Sequence, residues 1–304
     1  MSALDHLLAR GVPLMPRPLV RRFAAPYIAG ETLAEAVTTS RRLNAASKRV
    51  TIDVLGEEID RIGDAEAIRD SYLAVLDAIA QNGIDGDVSV KPTGLGLKVD
   101  RDACRAFVGA IARHAAARGT TVEIDMEDSS TTSDILAVYR ELRAEGHSNL
   151  GIVLQAMLKR TPADIEAVAD LAPRVRICKG IYVEPPEVAL QGFDEVRAAW
   201  VAALERLLAV GAYPAIATHD AYLIEQATTR VAAAGLTPDA YEFQMLLGVR
   251  PGLGDELVRA GHPVRVYVPF GSRWYEYSVR RLRENPGLAR SVARGTLARL
   301  IGRD

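Results

Sequence analysis

Eight short runs rich in β-branched and apolar residues recur along this chain, at residues 50–55, 87–90, 121–124, 150–154, 174–178, 215–217, 241–243 and 264–268. Each is too short for a helix. Each reads as nearly continuous in hydrophobicity, the pattern of a strand covered on both faces. Helical stretches with readable ends lie between them. At Thr161-Pro162-Ala163-Asp164, Thr161 can cap, Pro162 brings a preset φ, and Asp164 favours the positive end of the helix dipole. Residues 194–210 are rich in Ala and Leu and stop at Gly211, and residues 133–145 stop at Gly146. Glycine tolerates the left-handed conformation that ends a helix. Strand–helix alternation repeated eight times predicts a parallel sheet with crossover helices, and eight such units close into a (β/α)₈ barrel. An open doubly wound sheet is the alternative. It would favour a glycine-rich dinucleotide turn, and Gly94-Leu95-Gly96 lacks the third glycine at the required spacing.

The 304 residues carry no Ser/Gly linker or low-complexity stretch. Residues 1–47 are expected to form an N-terminal helical extension, residues 48–286 the barrel, and residues 287–304 a basic tail. Lys and Arg number 37 against 39 Asp and Glu, a formal charge of −2. That balance argues against a nucleic-acid binder, which needs a basic surface to displace counterions. Two cysteines, Cys104 and Cys178, make no disulfide framework. No apolar run reaches the ~18 residues of a membrane span, and the first residues lack the ordered regions of a signal peptide. A cytoplasmic location is therefore the expectation. The tail, with Arg290, Arg294, Arg299 and Arg303 against Asp304, adds an expected peripheral contact with an anionic membrane surface.

Barrels of this type place chemistry where strands run into the following loops. The C-terminal ends of the eight runs supply Lys91, Asp125, Gln155, Arg176 with Lys179, Thr218 with His219, Gln244 and Tyr267. The opposite ends show no such series. Taken singly, each is an ordinary loop residue; their meaning depends on co-location. In Asp125-Met126-Glu127-Asp128, strand alternation would put Asp125 and Glu127 on one side. No His pair or calcium-type loop completes a metal site there, and none is expected. In the final helix, residues 272–284, the positions Tyr277, Arg280, Arg281 and Glu284 share one face. On pattern alone this is a solvated face; functionally, two adjacent guanidiniums can grip a carboxylate bidentately. Residues 180–193, stiffened by Pro185-Pro186, form a long connection suited to a lid or a cofactor contact.

Six strings occur in order: Ser89-Val90-Lys91-Pro92-Thr93-Gly94-Leu95-Gly96, Asp125-Met126-Glu127-Asp128, Arg176-Ile177-Cys178-Lys179-Gly180, Ala217-Thr218-His219-Asp220, Tyr241-Glu242-Phe243-Gln244 and Tyr277-Ser278-Val279-Arg280-Arg281. Together they resemble the proline dehydrogenases, flavoenzymes with a distorted (β/α)₈ TIM-type barrel and a final helix capping its mouth. The likeness spans roughly residues 48–286 and follows the monofunctional bacterial form. It implies FAD across the mouth and L-proline between the flavin and the last helix. Carried over by position, Arg280 and Arg281 would hold the proline carboxylate, with Lys91 a third cation. Asp125 would pair with one of those arginines, and Glu284 would support them. Tyr267 and Leu246 would pack on the substrate ring. Arg176 would hydrogen-bond near flavin N5. Met126, Gln155, Lys179, Gly180, Ile181, Thr218 and His219 would line the FAD. Electrons would pass to a quinone. Ile181, Cys178 and Val183 depart from the family pattern, where Ala, Val and Trp respectively are common. Ile181 and Val183 bear on the grip on the adenine half of the cofactor.

The implied reaction removes a hydride from the carbon beside nitrogen, which requires a neutral amine. A site rich in Lys91, Arg280 and Arg281 would lower the pKa of that amine. Glu57, beyond the first run, is a candidate gate against a clamp arginine. Two other readings of the same residues stand beside this one. Lys91 or Lys179 could be a Schiff-base nucleophile of a lyase or aldolase, or the barrel could bind an amino acid without turning it over.

Overall fold

The computed structural model describes residues 20–21, 24–56, 59–275 and 277–279. Glu57, Arg280, Arg281, Glu284 and the basic tail lie outside the described residues. Helix α1 (Leu33–Ala45) starts at a capping box. Thr32 Oγ1 accepts the Glu35 N–H, and the Glu35 carboxylate accepts the Thr32 N–H at 2.9 Å. Strands and helices then alternate: β1 (Arg49–Val54), α2 (Ile62–Gln81), β2 (Gly86–Val90), α3 (Arg101–Ala116), β3 (Val122–Ile124), α4 (Thr132–Ala144), β4 (Leu150–Gln155), α5 (Thr161–Val168), β5 (Arg174–Cys178), α6 (Phe193–Ala209), β6 (Tyr213–Ala217), α7 (Ala221–Ala233), β7 (Glu242–Leu246), α8 (Pro251–Arg259) and β8 (Val264–Phe270). Every strand pairs in parallel with the next, and β8 pairs with β1, so the sheet closes. The expected eight-stranded barrel is the fold. Residues 274–275 and 277–279 are helical, as expected for the start of the final helix.

The strand bounds differ in detail from those read off the sequence. β6 starts earlier, with Pro214 inside it, β7 runs on to Leu246, β8 runs on to Phe270, and β3 is only three residues long. Thr161 is not the cap of α5. Its hydroxyl donates to the Gln155 carbonyl, and Arg160 precedes the helix without a side-chain cap. Asp164 does sit in the first turn, where its carboxylate accepts from Arg160 Nε at 2.8 Å. Gly211 and Gly146 follow their helices with φ of +69° and +98°. Among the described residues no helix is long and apolar enough to cross a membrane.

The larger correction concerns the strands' two faces. Apolar and polar residues alternate along them: Val50, Ile52 and Val54 against Thr51 and Asp53, Val88 and Val90 against Asp87 and Ser89, Val175 and Ile177 against Arg174 and Arg176. The apolar set joins one core with the inner faces of the helices, including Tyr72, Leu76, Ile111, Tyr139, Trp200 and Leu204. Full burial of such side chains stabilises by roughly 1.5–3 kcal/mol each. The polar set fills the barrel instead of an apolar plug. Polar residues therefore also occupy the N-terminal parts of the strands, where none were expected. There Arg265 pairs with Asp87 at 3.1 Å and with Glu242 at 2.7 Å, and Arg174 pairs with Glu242 and, at 3.4 Å, with Glu123. In a short strand the intervening valines and isoleucines mask this two-residue rhythm.

Candidate active site

A second polar level lies above the first, toward the C-terminal ends of the strands. Asp53 comes from β1, Ser89 from β2, Arg176 from β5, Gln244 from β7 and Tyr267 from β8. Lys91 and Asp125 directly follow β2 and β3. Alternation sends residues two apart to the same side, so these strands deliver polar side chains into the barrel while the intervening apolar ones anchor them to the helices. Lys91 Nζ lies 2.8 Å from Asp53 Oδ1, 3.2 Å from Asp125 Oδ2 and 2.8 Å from Tyr267 OH. Tyr267 OH donates to Asp125 Oδ2 at 2.9 Å. The other oxygen of Asp125 accepts from Ser89 Oγ at 2.7 Å and from Arg176 Nη1 at 2.6 Å. Arg176 also reaches Ser89 Oγ at 3.0 Å, across the barrel, and its Nε donates to Gln244.

Two carboxylates and two cations thus balance in a buried space, and the balance sets their charge states. Burial alone would raise the Asp125 carboxyl, but Lys91 and Arg176, with the Ser89 and Tyr267 hydroxyls, hold it below its ordinary value. Burial alone would discharge Lys91; Asp53 and Asp125 overcome that and keep it an ammonium. Tyr267 is pushed well above the ordinary phenol value by burial and by Asp125, so it remains a neutral donor. An ammonium paired with two carboxylates has no lone pair to attack a carbonyl, which speaks against Lys91 as a Schiff-base nucleophile. Asp125 was expected to pair with an arginine of the last helix; among the described residues its arginine is Arg176. Glu127 does not join Asp125 in this cluster. β3 ends at Ile124, and beyond it Glu127 turns to Thr93, accepting from the backbone N–H at 2.8 Å and from the hydroxyl.

The remaining predicted residues follow the rim from β3 to β7. Met126 is buried. Gln155, at the end of β4, donates to the Glu127 carbonyl at 2.8 Å. Lys179 lies 3.3 Å from Asp220 and 5.3 Å from the centre of the Phe193 ring. Gly180 has φ +103°, and a Cβ there would lie 2.5 Å from the Met157 side chain, so the β5 turn needs a glycine. Ile181 is partly exposed and Val183 almost wholly so. Thr218 Oγ1 accepts from the Asp220 N–H at 3.1 Å. His219 Nε2 accepts the Leu246 N–H at 2.9 Å, which places the proton of the neutral ring on Nδ1. Leu246 is the register partner of Tyr267, so the two neighbour each other at the β7–β8 mouth.

Four contributors escaped the sequence reading. Asp53 is buried in the first run; its polarity among Ile52 and Val54 was the available signal. Ser89 lies in one of the strings that carry the resemblance, and alternation was the signal for its inward side. Tyr72, on α2, donates to Asp53 at 3.3 Å from a distant element. Asp220 caps α7 through the Tyr222 N–H and pairs with both Lys179 and Arg197, and an Asp before a helix reads only as a cap. Among the described residues no group of three or more His, Cys, Asp or Glu is placed to hold a metal ion.

Comparison with known proteins identifies the family. The family model described as proline dehydrogenase matches residues 36–294. Proline dehydrogenase 1 of Bacillus subtilis subsp. natto is 35% identical over 274 residues, covering 90% of each chain. Proline dehydrogenase of Deinococcus radiodurans is 33% identical, covering 94% of each. Among solved structures, proline utilization A from Bdellovibrio bacteriovorus, inactivated by N-propargylglycine, superposes with a TM-score of 0.80 at 24% identity, over 87% of this chain and 33% of that longer one. The structural likeness shows the barrel, and the match over most of the sequence shows the lineage: the chain belongs to the proline dehydrogenase family.

Proposed function

We propose that this protein oxidises L-proline to 1-pyrroline-5-carboxylate, with FAD as its cofactor and a quinone as the electron acceptor. What carries this reading is the Asp125 carboxylate held between Lys91 and Arg176 at the strand ends, in a chain of this family. The residues present suit a flavin. The rim from β4 to β6 offers Gln155, Arg176, Lys179, Thr218 and His219, a donor-rich set for a polar ring system and a pyrophosphate. Met126, Gly180 and Ile181 would complete that lining. When bound, FAD would supply the hydride acceptor.

The chain's own residues would do the rest. Arg280 and Arg281 would hold the substrate carboxylate as a fork, with Glu284 steadying them and Lys91 adding charge from below. Tyr267 and Leu246 would wall the ring. Fixing the carboxylate aligns the reacting carbon and removes much of the entropic cost of alignment. Lys91, held as an ammonium, would disfavour a second positive charge on the substrate and so favour its neutral amine. Arg176 would present its charge to the cofactor, with no reorganisation needed because Asp125, Ser89 and Gln244 already fix it. The basic tail would bring the protein to a membrane surface, where a quinone resides. The visible spectrum of the purified protein tests the reading, followed by anaerobic addition of L-proline. A yellow protein bleached by proline is the expected result. A colourless protein, or a yellow one that proline leaves unchanged, would overturn it.

A further inference from the structure

We propose that Glu123 is a positioning residue for Arg176, the acceptor for the edge of the guanidinium that Asp125, Ser89 and Gln244 leave over. The proposal rests on the flavin reading above. Arg176 spends Nη1 on Asp125 and Ser89 and Nε on Gln244, while Nη2 is buried with no hydrogen-bond partner. Glu123 Oε2 lies 3.9 Å from Nη2, inside ion-pair range and outside hydrogen-bond range. Glu123 precedes Asp125 by two residues, so the two carboxyls stand one above the other on the same side of the chain.

The neighbouring strand makes room for this side chain. Gly151 on β4 is the register partner of Glu123, and a Cβ at Gly151 would lie 2.6 Å from Glu123 Oε1. That Oε1 is itself buried without a partner. The oxygen nearest Nη2, Oε2, accepts only a long bond from Arg174 Nε at 3.4 Å, so the buried Nη2 donor and this carboxyl face each other across a gap that a small side-chain shift would close. The remaining charged or ionisable neighbours of Glu123 are Arg174 on β5, Asp87 on β2, Glu242 on β7 and, from the helix layer, Tyr139. Burial pushes the Glu123 carboxyl up to about 7 against the pull of Arg176 and Arg174. Around neutral pH it therefore exists in two states. Ionised, it offsets part of the Arg176 charge from below. Protonated, it leaves that charge to the site above.

The bound flavin reports this without turnover. Its visible spectrum in the holoenzyme should titrate with a midpoint near 7, and Glu123→Gln should abolish the step. The rate of flavin reduction at saturating proline should change about threefold across the step in the wild type and not in the variant, while KM for proline at fixed pH stays within about twofold, as expected for a group acting through Arg176. Gly151→Ala, which keeps the carboxyl but crowds it, should displace the midpoint, and it serves where Glu123→Gln does not fold. A step that persists in Glu123→Gln, no step in the wild type, or an unmoved midpoint in Gly151→Ala would each overturn the proposal. A wild-type protein that takes up no flavin at all would refute the underlying reading, and this one with it.

Discussion

Asp125 Oδ1 accepts a hydrogen bond from Arg176 Nη1 at 2.6 Å, joining the end of β3 to β5 across the barrel. The same carboxylate, through Oδ2, lies 3.2 Å from Lys91 Nζ, so one acid serves two buried cations. Asp125→Asn keeps the shape and removes the charge, leaving the largely buried Lys91 and Arg176 with one carboxylate fewer. Removing one partner of a buried ion pair destabilises by about 3–5 kcal/mol. Urea unfolding should show a loss at the low end of that range, because Asp53 remains to pair Lys91. An unchanged urea midpoint would refute this.

Tyr267 ties the two cation sites together. Its hydroxyl donates to Asp125 Oδ2 and accepts from Lys91 Nζ. Tyr267→Phe removes one hydroxyl and leaves both partners otherwise bonded. The expected loss is about 1–2 kcal/mol in chemical denaturation. If the ring also packs on substrate, KM for proline rises only modestly, because the apolar face of the ring is retained.

Arg176 is held by three separate side chains, Asp125, Ser89 and Gln244, which a single ammonium cannot imitate. Arg176→Ala should slow flavin reduction at saturating proline by about tenfold or more, about 1.4 kcal/mol of barrier. It should affect proline affinity less. Stopped-flow absorbance separates the two effects. A variant that loses affinity and keeps its reduction rate would place Arg176 with the substrate rather than the cofactor.

The clamp expected on the final helix has a separate test. Arg281→Met should raise KM for proline steeply while FAD stays bound, since a thioether cannot form the forked pair with a carboxylate. An unchanged KM would remove Arg281 from the substrate site.

The fold was legible because parallel barrels write their plan into spacing. Eight short runs separated by helix-length segments leave few topologies, and the observed order β1 to β8 around the closed sheet is the simplest. The rim was legible for the same reason, since Lys91 and Asp125 directly follow their strands and Arg176 lies near the end of β5, although Tyr267 proves central in β8. What escaped was the inside of the barrel. Glu123, Arg174, Glu242 and Arg265 look like strand-start residues facing water, because charges so seldom lie fully buried. Only the closed geometry brings them together. Arg265 meets Asp87 across the β8–β1–β2 arc, a contact between residues far apart in the chain. Side-chain identity could have suggested it, as every one of these charges falls on the same alternate positions as a rim residue. The pairing itself was not encoded locally.

That lower level sets the acid sensitivity of the fold. Burial alone would raise Glu242, but Arg265 and Arg174, with the Gln244 amide, bring it down to about 2 from an ordinary 4.5. A carboxyl with a depressed folded-state value stabilises above its unfolded value and loses that contribution as pH falls through the folded one. The contribution of Glu242 is therefore complete above about pH 4.5 and disappears towards about pH 2. Glu123, raised to about 7, has the opposite sign: its contribution is complete below its unfolded value of 4.5 and is lost as pH rises through about 7. Each would amount to about 3 kcal/mol at full extent. Urea unfolding across pH should then give crossed profiles. Glu242→Gln should be less stable than the wild type at neutral pH, with the gap closing in acid. Glu123→Gln should compare least favourably below about pH 4.5 and gain on the wild type as pH rises from there to about 7. Parallel profiles for the two variants would show that the buried carboxyls do not carry opposite charge preferences, and that the ionic interior is held together by packing rather than by the pairing of its arginines.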